Sequence, residues 1–113
     1  MSQALARIVY GIPCTYEMQA RAVELGLVPP GRNRKRFDEI GFTSDYSANG
    51  DYPVWCGVVL DTIKEGDNGN LSRFKMEPTD EQHLEFTQRF TEIPKELQSM
   101  SGDPSVLVMW ASS

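Results

Sequence analysis

Short apolar runs alternate with amphipathic stretches along this chain, and their order predicts a sequence of elements. Ala6 to Ile12 is rich in β-branched and aromatic residues and stops at Pro13, which reads as a strand. Thr15 can then cap a helix over Tyr16 to Leu25, with Met18, Ala22 and Leu25 on one face. Gly26 is placed to stop that helix, and Pro29-Pro30 forbids its continuation. After a polar, basic connection over Gly31 to Arg36, Phe37 to Tyr46 alternates loosely with Ile40 and Phe42 on one side, predicting an edge-like strand. Asn49-Gly50 supplies a tight hairpin turn into the strongly apolar strand Val54 to Ile63. Asn68-Gly69 offers a second turn, with Leu71 to Met76 as a short return strand.

Thr79-Asp80-Glu81-Gln82 matches a capping box, in which the Thr hydroxyl and the Gln amide serve free backbone donors reciprocally. Phe86, Phe90, Ile93, Leu97 and Met100 follow at helical spacing. Pro94 lacks the N–H a helix interior needs, so a kink or a break is expected near Glu92. Gly102-Asp103-Pro104 ends the segment, and Ser105 to Ala111 is the last strand. Strand, helix, two strands, helix, strand predicts one α+β domain over residues 1–113: a ferredoxin-like βαββαβ sandwich with one extra short strand. Its two helices cover one face of a mainly antiparallel sheet. A mixed five-stranded sheet with the same helices is the alternative.

A sheet covered on one face should alternate apolar and polar positions, and three of these strands do not. Ile8, Tyr10 and Ile12 oppose Arg7, Val9 and Gly11; Val54, Cys56, Val58 and Leu60 oppose Trp55, Gly57, Val59 and Ile63. In the last strand Val106, Val108 and Trp110 oppose Leu107, Met109 and Ala111. Either the chain folds over its own second face, or a partner covers it, or it lines a ligand cavity. A patch of Trp55, Val59, Leu107 and Met109, beside an apolar last strand at a sheet edge, points toward assembly.

Charge and cysteine content narrow the partners. Eleven Lys and Arg against sixteen Asp and Glu give a net charge of −5, which disfavours nucleic acid and anionic membranes. The two cysteines, Cys14 and Cys56, have neither disulfide-scaffold nor metal-ligand spacing, and the chain starts without a signal-peptide pattern. A cytoplasmic protein without metal or cofactor is the expectation.

Candidate chemistry is sparse. Cys14 sits where the first strand enters the first helix, where the helix's positive end favours thiolate, and the lone His83 is its conceivable partner. Cys56 reads as core and His83 as a packing residue on the helix edge. Asp80, Glu81 and Glu85 suit the dipole at the start of the second helix. Asp67-Asn68-Gly69-Asn70 lacks a calcium-loop pattern and reads as a turn. Arg32, Arg34, Lys35 and Arg36 form the basic cluster, suited to an acidic protein surface without a phosphate cradle.

The leading expectation is a non-enzymatic protein-binding or regulatory module, working by self-association or by inhibiting a partner. Trp55, Val59, Leu107 and Met109 would give affinity, and the basic cluster selectivity. The alternatives are a small-molecule binder or small enzyme with a pocket near Cys14, Tyr10 and His83, and nucleotide or RNA recognition through residues 32–36.

Overall fold

A computed structural model describes residues 4–30, 34–44, 54–64 and 74–110. They form an α+β structure: β1 (Ala4–Pro13), α1 (Tyr16–Glu24), a 3-10 helix (Arg34–Ile40), β2 (Thr43–Ser44), β3 (Val54–Lys64), α2 (Asp80–Thr91), α3 (Lys95–Gln98) and β4 (Ser105–Trp110). The strands lie in the order β2-β3-β1-β4, with every neighbouring pair antiparallel. Three strands are long and β2 contributes only two residues, so β1 and β3 are the backbone of the sheet.

The helices form where their caps place them. Thr15 Oγ1 accepts the Met18 N–H at 3.2 Å, and α1 buries Met18 and Ala22. At α2 the capping box is complete: Thr79 Oγ1 accepts the Gln82 N–H at 3.2 Å, while Gln82 Oε1 accepts the Thr79 N–H at 2.9 Å. Helix α2 stops at Thr91, and α3 restarts after Pro94, so the break falls where the missing N–H demands it. Gln98 bridges the break, its Nε2 donating to the carbonyls of Phe90 at 3.0 Å and Ile93 at 2.6 Å. The Phe90 oxygen also accepts the Ile93 N–H at 3.2 Å, so Gln98 gives it a second donor.

Side chains from all three helices join one cluster on one sheet face. Met18, Ala22, Phe86 and Leu97 pack with Ile12, Val54, Cys56 and Val58, and with Val28, Phe37, Phe42 and Ile93 from the connections. A second cluster on the same face joins Ala6, Ile8, Leu60 and Ile63 to Phe74, Val106 and Val108. Asp61 ties the chain back to the sheet here. Its carboxylate accepts the backbone N–H of Lys75 at 3.0 Å and of Thr62 at 2.8 Å, and those two donations hold its pKa below the usual range.

Three expectations need correction. Residues 37–44 do not form one strand: Arg34–Ile40 is a 3-10 helix and, among the described residues, only Thr43–Ser44 pairs with β3, while residues 45 and 46 lie outside them. The apolar spacing there is helical, with Phe37 buried and Ile40 half-buried three residues on. Arg36 and Glu39 form an exposed i,i+3 pair at 3.3 Å, and Phe37 stacks edge-on against Phe42 at 6.2 Å. The return strand over Leu71 to Met76 is not formed at 74–76, and residues 71–73 lie outside the described residues. So do the turns expected at Asn49-Gly50 and Asn68-Gly69.

The third correction concerns Ile63, which belongs to the helix-covered face rather than to the face of Trp55 and Val59. Val9 sits opposite Val59 but Ile8 sits opposite Asp61, so β3 accommodates one extra residue at Leu60. An inserted residue reverses the in–out alternation beyond it, and Ile63 swings round to face Ala6 in the core.

Candidate functional site

The second sheet face can be read directly from the register. Val59, Val9 and Leu107 form a row across β3, β1 and β4; Arg7 and Met109 form the next pair, and Pro13 lies opposite Trp55. These positions differ greatly in exposure. Trp55 is 2% exposed and Val9 fully buried, so the chain itself takes that part of the face out of solvent. Val59 is 39% exposed, and Leu107 and Met109 are half-buried. The accessible apolar surface is therefore smaller than four residues and falls in two parts, Leu107 and Met109 on β4 and Val59 on β3, with the fully buried Val9 between them.

Strand β4 stands at one end of the strand order and pairs with β1 alone among the described residues, as β3 does beyond Val54 and Trp55. In β4, Val106, Leu107, Val108 and Met109 are all half-buried whichever face they point to. Its six residues, Ser-Val-Leu-Val-Met-Trp, carry no ionisable group, and its register with β1 runs without a shift from Ser105 to Trp110. An uncharged, bulge-free edge is what soluble proteins ordinarily avoid leaving open.

Three members of the basic cluster fall in one 3-10 helix. Arg32 lies outside the described residues, Arg34 and Lys35 open the 3-10 helix, and Arg36 is exposed and paired with Glu39. An exposed pair of this kind contributes at most about 1 kcal/mol and leaves the guanidinium free to exchange partners.

The Cys14 pocket does not take the form that nucleophilic chemistry needs. Tyr10 and His83 do meet, edge to face at 4.7 Å, and Tyr10 meets Phe86 at 5.5 Å. Cys14 lies just past the end of β1, four residues beyond Tyr10 and about 13 Å away at strand rise, and belongs to the buried cluster that contains Cys56. Burial pushes the Cys14 thiol up to about 12, and neighbouring Cys56 adds to the shift. Helix-end stabilisation of a thiolate is worth less than one pKa unit at a short helix, so burial decides the outcome. Cys56 is likewise raised to about 11 by burial, with Arg89 opposing and Glu92 adding to the effect. Both thiols are free and buried. The expected result with a mild thiol reagent at neutral pH is slow labelling of both at similar rates, set by opening of the structure. Rapid modification of Cys14 alone, followed by mass spectrometry, would contradict this placement.

Sequence reasoning missed one feature, an open groove of about 450 Å³ between α2 and β3. Gln82, Glu85 and Arg89 of α2 line it with Trp55, Gly57 and Val59 of β3, together with Arg7. Arg89 donates through Nη2 to Glu85 Oε1 at 3.1 Å, so two of its charges are spent on each other. The i,i+4 spacing of Glu85 and Arg89 was the available signal for that pair. Among the described residues no group of three His, Cys, Asp or Glu side chains could hold a metal ion, and no helix is long and apolar enough to cross a membrane. Compared with known proteins, the chain matches no family model, no curated protein and no solved structure.

Proposed function

We propose that this chain is a non-enzymatic protein-binding module whose contact surface is the outer edge of β4 with the side chains of Leu107 and Met109, and with Val59 on β3. The observation that carries this reading is the edge itself: six uncharged residues, hydrogen-bonded on one side among the described residues, with four consecutive apolar side chains only half covered. Addition of a strand would satisfy the outward N–H and C=O groups and cover those side chains together. The exposed Arg36 and the acidic start of α2 supply charges that select among partners. Two free, buried thiols suit a reducing, cytoplasmic setting. The strand order β2-β3-β1-β4 with antiparallel neighbours supports a ferredoxin-like arrangement, in which β4 is an edge by topology.

Leu107→Asp tests the proposal, because Leu107 is half-buried on the second face and outside both core clusters. Immobilised wild-type chain is expected to retain a protein, either its own copy or another, that the substituted chain fails to retain while keeping its circular dichroism spectrum. Equal retention by both chains, or none by either, overturns the proposal.

A further inference from the structure

We propose that residues 74–78 are a strap that opens on its own over the second core cluster, with the Asp61 carboxylate as its latch. Side chains from all three helices join the first cluster, but the second is built differently. Ala6, Ile8, Leu60 and Ile63 pack there with Tyr10, Val106 and Val108, all of them strand residues. Among the described residues, Phe74 is the one apolar side chain that reaches this cluster from outside the sheet. Phe74 is half-buried, while Ala6, Ile8, Leu60 and Ile63 are at most 7% exposed.

The strap itself is weakly held. Residues 74–78 form neither helix nor strand, and Lys75, Met76 and Glu77 are exposed. Among the described residues, one hydrogen bond ties them to the sheet, from the Lys75 N–H to Asp61 Oδ2 at 3.0 Å. A segment with one packed ring and one exposed hydrogen bond opens at a lower free energy than the paired strands it lies on. Asp61 is placed for its role by the register. It lies opposite Ile8, on the cluster's face of β3, just after the extra residue at Leu60. Its Oδ1 accepts the adjacent Thr62 N–H at 2.8 Å, so its own strand fixes the carboxylate while the other oxygen reaches the strap.

Charge makes the latch, because an N–H donated to a carboxylate is held more strongly than one donated to a neutral acceptor. The Lys75 and Thr62 N–H donations favour the ionised form against partial desolvation, and the Lys75 ammonium adds to them. Across the sheet Asp61 faces Ile8 and Val108, which do not ionise. Helix α2 contributes His83, which meets Tyr10 two residues farther along β1, and the strap's other ionisable group is the exposed Glu77. The folded-state carboxyl therefore titrates below the usual aspartate range. The latch is intact at neutral pH and is lost as pH falls through that lowered value. Opening lifts Phe74 away and uncovers Leu60 and Ile63 while the strands stay paired.

Amide exchange of the full chain, together with binding of an anilinonaphthalene dye that reports exposed apolar surface, tests this. At neutral pH the Lys75 amide is expected to be less protected than the amides of β1, after correction for intrinsic rates. Asp61→Asn keeps an oxygen as acceptor but loses the charge, so Lys75 exchange should quicken about tenfold and dye binding should rise at neutral pH. In wild type the same opening should appear on acidification, with dye binding rising before the circular dichroism spectrum changes. That acid step should be absent from Asp61→Asn. Lys75 protection equal to that of β1, which marks opening only with the whole fold, overturns the proposal. So does an Asp61→Asn chain that matches wild type in exchange and dye binding, or an acid step that survives the substitution.

Discussion

Gly57→Ala is expected to be among the most damaging single-methyl changes this protein can suffer. Gly57 lies directly opposite Gly11 across β1 and β3, the two central strands of the sheet. A Cβ built on Gly57 runs into the Tyr10 carbonyl oxygen and comes within 3.0 Å of the Gly11 Cα; one on Gly11 meets the Cys56 carbonyl oxygen and lies 2.7 Å from the Gly57 Cα. These neighbours are backbone atoms of the two central strands, so no side chain can rotate away. Relief requires the strands to separate and give up ladder hydrogen bonds. Overpacking that a core can absorb costs roughly 1–3 kcal/mol, and this site should exceed about 3 kcal/mol because it cannot absorb it. The melting temperature should fall by on the order of 10 °C. Two other glycines serve as internal controls. At Gly102 a Cβ meets nothing within 4 Å, so alanine there should leave stability unchanged within about 0.5 kcal/mol. Gly26 also has open space but sits at φ +73°, so alanine there should cost about 1 kcal/mol from backbone strain alone. Thermal melts of the three variants give the ranking, and a Gly57→Ala chain melting with wild type would show that β1 and β3 are not in this register.

The Gly11–Gly57 pair also illustrates what the sequence could and could not disclose. Elements defined by local signals were legible: the capping box at Thr79, the stop at Pro94, and the β-branched runs that became β1, β3 and β4 all fall within a residue or two of their expected ends. Cross-strand relations were not, because register is a property of two distant segments. The extra residue at Leu60 is invisible along the chain, yet it decides which face receives Ile63. Residues 37–46 misled for a different reason. Ile40 and Phe42 fit a strand period, but Phe37 with Ile40 fits a 3-10 turn equally well, and packing on Phe42 settles the choice. At the candidate site the edge position of β4 followed from the expected topology. The burial of Trp55 did not, because both faces of a double-sided apolar strand look alike until the rest of the chain is in place. The Cys14 environment was misjudged on magnitude: a helix-end effect was visible in the sequence, while the larger desolvation by the core was not.

Leu97→Ala should produce the other large loss, and its size tests whether the segment after Pro94 is part of the core or an appendage. Helix α3 has only four residues and no side-chain cap, so it has no intrinsic stability. It is held by Leu97, which is fully buried in the main cluster with Ile93, and by Gln98, whose amide reaches back to Phe90 and Ile93. Truncating a fully enclosed leucine removes its transfer free energy and leaves a cavity, together about 2–5 kcal/mol. The upper half of that range is expected if α3 keeps its place and the cavity persists. The lower half is expected if α3 moves inward, and the movement should then weaken the Gln98 bonds. Gln98→Ala alone should cost about 1 kcal/mol, since it takes the Gln98 donor from the Ile93 carbonyl while the Phe90 carbonyl keeps the Ile93 N–H. Because Leu97 and Gln98 hold the same turn, the double variant should lose less than the sum of the single losses. Denaturant unfolding of the three variants, read at constant slope, supplies the numbers. A Leu97→Ala loss below about 1 kcal/mol would mean that α3 does not close the core beneath α1, and that the helical layer ends at Thr91.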